Sequence, residues 1–268
     1  MINKLKTNTK KISILLALML FVTFGLAACI QIKKTDKPDT SDVKSKLATV
    51  QYAMGLTEDE SDETPNFELE TLSVNIVNSV TTIVSNKTSV FENTVTLTLA
   101  EMDPHKILTE TSILFEDGKY YKLEVDGETA RPKKVEVDRY MAQQILYPIN
   151  KMPSQVSTLM DGNYFEFVGS KDNIYNYSVP KNKKKEYVTN YYTVLFGKEI
   201  VEGMPDDTID KMLDVIDMQL SVDKSNNEYR AQWLDLSPPN IGDGVNGGSF
   251  IPNVRLKIGG QSNPFKGI

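Results

Sequence analysis

The stretch "TVTLTLAEM", Thr94 to Met102, constrains the fold more than any other in the chain. Val95, Leu97 and Leu99 alternate with Thr94, Thr96 and Thr98. A period of two sorts into one apolar and one polar face only on an extended strand. Asp103-Pro104 ends the run, because proline offers no N–H to a sheet ladder. The next segment, "KILTETSILFEDGKYYKLEVDGE", reads as two strands joined at Asp117-Gly118, with a second Asp-Gly at Asp126-Gly127. Asp-Gly tolerates the positive φ of a two-residue hairpin turn. Strands so closely spaced leave no room for crossover helices, so they predict an antiparallel meander.

The same pattern recurs on both sides. "FELETLSVNIVNSVTTIVSN" from Phe67 alternates at Phe67, Leu69, Leu72, Val74 and Ile76. Beyond the middle, "NYFEFVG" and "NIYNYSVP" read as strands pairing across Ser170–Asp172. "EYVTNYYTVLFG" reads as a strand after a lysine-rich hairpin tip at 181–185. "DVIDMQLSVDKSNNEYRAQWLDLS" reads as a long hairpin turning at Ser225–Asn227, with Met218, Leu220 and Val222 opposite Tyr229, Ala231 and Trp233. "NVRLKIG" supplies the last strand. Three stretches have helical spacing instead. Val43, Leu47, Val50 and Met54 form a stripe capped by Ser41 or Asp42. Val137, Tyr140, Met141, Gln144 and Ile145 sit at helical spacing, with Asp138 as a cap. Ile209, Met212, Leu213 and Ile216 suit a helix after Pro205 that hands over to a strand near Asp217.

The expected fold is therefore mostly β with a few short helices (α+β). It comprises eight to eleven antiparallel strands and two or three helices, arranged as a curved sheet or half-barrel packed on helices. A β-sandwich is the alternative. The β-rich domain spans 67–258, with helices inserted near 137–161 and 206–217 and a tail at 259–268. Residues 29–66 read as anchor, tether, short helix and acidic loop.

The N-terminus predicts location. Lys4, Lys6, Lys10 and Lys11 precede the apolar run Ile12–Ala28, and Leu26-Ala27-Ala28-Cys29 follows in the order of an export signal. Leu26-Ala27-Ala28-Cys29 resembles the lipobox of bacterial lipoproteins. The resemblance implies cleavage between Ala28 and Cys29 and diacylglycerol, with palmitate-like chains, on the Cys29 sulfur. Two or three acyl chains at about 0.8 kcal/mol per buried CH₂ anchor a protein stably to the cell membrane, outside the cytoplasm. Ile30 departs from the Asp that marks inner-membrane retention in two-membrane bacteria.

Removing the first 28 of 268 residues takes four of the 30 Lys+Arg and none of the 36 Asp+Glu, leaving a mature chain of net charge −10. Such a surface argues against nucleic acid as a partner. With Cys29 acylated no thiol remains, and His105 is the single histidine, so a catalytic triad or a zinc, copper or haem site lacks its usual groups. No catalytic residue, metal or cofactor is expected, and His105 reads as a surface turn residue. The acidic stripe Asp206, Asp207, Asp210, Asp214 and Asp217 reads as a solvated helix face. "DKSNNE", Asp223–Glu228, lacks the glycine and distal glutamate of a calcium loop and reads as a hairpin tip. "KNKKKEY", 181–187, reads as a lysine-rich tip that discourages edge pairing. Tyr120, Tyr121, Tyr164, Phe165, Phe167, Tyr175, Tyr177, Tyr187, Tyr191 and Tyr192 read as core or cross-strand aromatics.

The order helix, antiparallel meander, inserted helices and further strands is similar to the LolA/LppX class of lipoproteins and lipid carriers. In that class a curved half-barrel closes over helices around an apolar cavity. The resemblance spans about 42–258 and implies reversible binding of an acyl chain or other apolar ligand, without chemistry on it. The rival expectation is a surface domain for protein–protein contact or an accessory to an envelope complex. A groove of several hundred Å³ lined by apolar strand faces supports the first, and a filled interior with an exposed patch the second.

Overall fold

The computed structural model describes residues 37–59, 66–77, 80–103, 106–125, 132–213, 216–235 and 249–259. Two consecutive meanders build the sheet. The first comprises β1 (Phe67–Val77), β2 (Val80–Phe91), β3 (Thr94–Asp103), β4 (Lys106–Glu116), β5 (Lys119–Val125) and β6 (Pro132–Val137). The second comprises β7 (Glu166–Lys171), β8 (Ile174–Ser178), β9 (Ile216–Asp223), β10 (Glu228–Asp235) and β11 (Ser249–Ile258). β1 pairs antiparallel with β11, from Phe67 opposite Ile258 to Ile76 opposite Ser249, and this zips the meanders together. The order is β6-β5-β4-β3-β2-β1-β11-β10-β9-β8-β7, with β6 and β7 at opposite ends. The sheet is open, mostly antiparallel and single, so the sandwich alternative is wrong: its strands would divide between two stacked sheets.

Register explains which face is buried. Phe67, Leu69, Val90, Val95, Leu97, Ile113, Phe115 and Tyr120 fall on one face of the first meander. Leu256, Val254, Ala231, Trp233, Leu220, Met218 and Tyr177 continue that face across the second. All are buried in one core with side chains from the helices. The opposite face carries a cross-strand lattice of charge. Lys87 bonds Glu68 at 2.8 Å, Arg255 bonds Glu228 at 2.9 Å, and Arg230 also meets Glu228.

Six α-helices are described, more than the two or three expected: α1 (Ser41–Ala53), α2 (Arg139–Leu146), α3 (Met152–Leu159), α4 (Lys181–Phe196), α5 (Lys198–Glu202) and α6 (Asp206–Leu213). A 3-10 turn, Tyr147–Ile149, joins α2 to α3. The expected stripe of α1 is buried at Val43, Leu47, Val50 and Met54. Its start is not capped by Ser41 or Asp42. Asp39, one residue before the Thr40 cap position, accepts from the Ser41 N–H and hydroxyl at 3.0 and 2.7 Å. The folded domain thus begins well before Phe67. Pro38 is itself buried, and a Cβ on Gly162 would lie 2.6 Å from the Pro38 carbonyl. The part of 29–66 available as tether is correspondingly shorter.

The largest correction concerns 181–196. The expected lysine-rich tip and strand are one helix, α4, starting after Pro180. Tyr187, Val188, Tyr191 and Tyr192, spaced 1-3-1, are its buried residues. Tyr, Val and Thr favour strands only when a pleated surface is there to pack on, and here the helix seats those rings on Trp233 and Phe165. The hairpins at Asp117-Gly118 and 225–227 and the strands beside them follow the sequence reading, the Asp126-Gly127 turn lies outside the described residues, and Val137, expected in the helix, instead ends strand β6. The β7–β8 turn sits at Asp172-Asn173, where φ is 51° and 64°, slightly later than Ser170–Asp172. The handover from α6 to β9 lies near Asp217 as expected.

Candidate functional site

One cavity of about 280 Å³ lies where α1, the β4–β5 hairpin and the start of α2 meet. Its floor is aromatic. Tyr52 of α1 meets Phe115 of β4 edge-on at 5.6 Å, and Phe115 meets Tyr120 of β5 at 4.9 Å. Phe115 and Tyr120 sit opposite each other in the hairpin, brought together by the Asp117-Gly118 turn, with Val137 of β6 opposite Tyr120. Phe115 and Tyr120 belong to the main core, and Tyr52 and Val137 pack against it, so the floor is the edge of the apolar interior. Burial pushes the Tyr120 phenol above its ordinary pKa.

The rim is charged. Lys119 and Glu136 pair at 3.5 Å. Asp138 accepts from the Met141 N–H at 2.7 Å and caps α2, as its sequence position predicts. Arg139 follows it and donates from Nη2 to Glu58 at 2.7 Å and to the Gly55 carbonyl at 3.1 Å. Gln143, one turn on, donates to the same carbonyl at 3.0 Å. The hydrogen bond and charge of Arg139 hold the Glu58 carboxyl below the usual carboxylate range. These groups can hold an amphipathic molecule: rings below for an apolar part, ionic groups at the mouth for a polar one.

Sequence reasoning placed Tyr120 and Asp138 without uniting them, and missed Tyr52, Phe115, Arg139 and Glu58 as a group. They come from three segments, so no local motif could have linked them. On α2 it also selected the wrong face. Tyr140 and Met141 are 70% and 50% exposed, while Ala142 and Leu146 are buried. Tyr147 is 69% exposed beside them in sequence.

The other candidates scatter. Cys29, Ala28, His105 and Asp214 lie outside the described residues. Asp207 pairs with Lys211, Asp210 with Lys185, and Asp217 accepts from Gln219, so the stripe does not converge. Asp223 accepts from the Ser225 and Asn226 N–H groups and closes the β9–β10 turn. Tyr164, Phe165, Tyr187, Tyr191 and Tyr192 stack in the core as expected. Among the described residues no three His, Cys, Asp or Glu gather as a metal site, and no helix is long and apolar enough to cross a membrane.

No protein-family model and no curated protein matches the chain. A solved structure of a DUF1329 family protein from Desulfovibrio piger matches at 11% identity and a TM-score of 0.22. The match covers 82% of this chain and 92% of that one. The fold described above rests on the strand pairing of this chain alone.

Proposed function

We propose that the protein is a lipid-anchored extracytoplasmic binding protein, fastened through Cys29, that takes up the apolar part of an amphipathic ligand without transforming it. The observation that carries this reading is the Tyr52–Phe115–Tyr120 floor, continuous with the core and open at a charged rim. The order of charged, apolar and small residues up to Cys29 supports the anchor. A volume of about 280 Å³ is at the small end of ligand sites and suits a ring or the end of a chain rather than a whole lipid. Leu69, Leu97, Val50, Val156 and Tyr187, between sheet and helices, are buried away from that mouth. Uptake is therefore at the mouth.

Native mass spectrometry of protein extracted from its own envelope in mild detergent tests this. The expected spectrum shows a diacylglyceryl mass on Cys29 and a non-covalent amphiphile lost on collisional activation. An unmodified Cys29 would refute the anchor, and a lipidated chain with no adduct would refute the binding. A second reading, contact with a protein partner, is favoured by the exposed Tyr140, Met141 and Tyr147. Serine at all three should then remove a cross-linked partner from intact cells and leave the adduct in place.

A further inference from the structure

We infer that the cavity selects an anionic head on its apolar ligand, and that Glu58 is an internal carboxylate occupying the place of that head until the ligand displaces it. The inference rests on the binding reading above and adds the class of ligand.

Of the charged groups at the mouth, each acid has a partner on one of its oxygens, and Arg139 keeps donors to spare. Asp138 is committed to capping α2, and Glu136 faces Lys119. Arg139 is held in place from behind by the Gly55 carbonyl, which Gln143 also grips. Among the described residues its hydrogen bonds all leave from Nη2, so Nε and Nη1 remain to donate. A guanidinium presents its donors as a fork that matches a carboxylate, and that match is what Glu58 now satisfies in part.

Glu58 is suited to give way. Its side chain is 82% exposed, and an ion pair so open to water contributes little. It enters from the loop that follows α1, not from the sheet or a helix. A ligand that brings its own carboxylate together with a tail for the aromatic floor exchanges one ion pair for another and gains the burial of the tail.

The test keeps the tail constant and changes the head. The mature chain, 29–268, is titrated with octanoate, octanol and octylammonium below their micelle concentrations, with saturation-transfer NMR as readout. Octanoate should bind about tenfold or more tighter than the other two, the scale of a hydrogen bond to a charged group. Arg139→Gln should abolish that preference. Glu58→Gln, which removes the competing charge, should tighten octanoate by a larger factor than octanol. Equal binding of the three heads, preference for octylammonium, or weaker octanoate binding in Glu58→Gln would overturn the inference while sparing the cavity. Binding of none would overturn the binding reading as well. If Arg139→Gln fails to fold by circular dichroism, the wild-type head series and Glu58→Gln decide.

Discussion

Gly55 shows how one residue can join fold and site. It ends α1 with φ of 69°, Leu56 N–H donating to the Gln51 carbonyl and Gly55 N–H to the Tyr52 carbonyl, each at 2.9 Å. That pair of bonds is a Schellman end, and it favours glycine in the left-handed position. The same turn aims the Gly55 carbonyl at Arg139 and Gln143, and a Cβ would lie 2.8 Å from Gln143 Nε2. Gly55→Ala should lower stability by about 1–2 kcal/mol in urea unfolding, the cost of a left-handed residue with a side chain. Glu228 acts on the fold alone, buried on the charged face between Arg230 and Arg255. Burial opposes its ionisation, but the bonds and charges of the two arginines outweigh it and hold the carboxyl below the usual range. A depressed folded pKa stabilises the native state above the unfolded value of about 4.3 and loses that contribution as pH falls below it. Urea midpoints measured from pH 7 to pH 3 should drop over the acid part of that range, and less steeply in Glu228→Gln.

Among the elements, α4 departs most from local preference. Its first turn carries Lys181, Lys183 and Lys184 at the positive end of the helix dipole, without an acidic residue or a side-chain cap. Tertiary partners compensate. Lys183 donates to the Asn163 carbonyl, Lys184 to the Leu213 carbonyl, and Lys185 pairs with Asp210. Tyr187 lies fully buried and donates to the Leu159 carbonyl at 2.9 Å, which ties α4 to α3. Tyr187→Phe should cost about 1 kcal/mol, the net worth of one hydrogen bond. Tyr187→Ala should cost about 3–5 kcal/mol in the same unfolding assay, because it also leaves a cavity. The hairpin strands β4, β5, β9 and β10 held to their sequence patterns because turn signals of their own bound them, at Asp117-Gly118 and at 225–227. The face opposite the core departs from a simple solvated one, since Thr96 and Leu114 are both buried there. Their cross-strand pairing covers them, a consequence of register rather than of alternation.

For the whole molecule the pairing of β1 with β11 matters most, because it joins the first strand of the domain to the last. The central strands β2, β1 and β11 are paired on both sides, while β6 and β7 end the sheet. Amide exchange should therefore be slowest in β1 and β11 and fastest in β6 and β7. Comparable protection across the sheet would contradict the open arrangement. At the scale of the cell, the proposed anchor predicts that Cys29→Ser moves the protein from the membrane fraction to the soluble exported fraction, because acyl chains would supply the attachment.

The sequence by itself determined the hairpins at Asp117-Gly118 and 225–227, the alternating strands around them, the buried stripe of α1 and the cap of α2. Each of these rests on spacing within a few residues, where backbone geometry acts directly. Tertiary structure alone decided that 181–196 is a helix, which side of α2 is buried, and that α1 belongs to the core. Those choices depend on what lies opposite the segment: Tyr187 and Tyr191 meet rings from Phe165 and Trp233 that are distant in the chain. The cavity belongs to the same class. Tyr52, Phe115, Tyr120 and Arg139 acquire a shared chemistry only once α1, the β4–β5 hairpin and α2 are packed together, because a site formed across elements has no spacing to read.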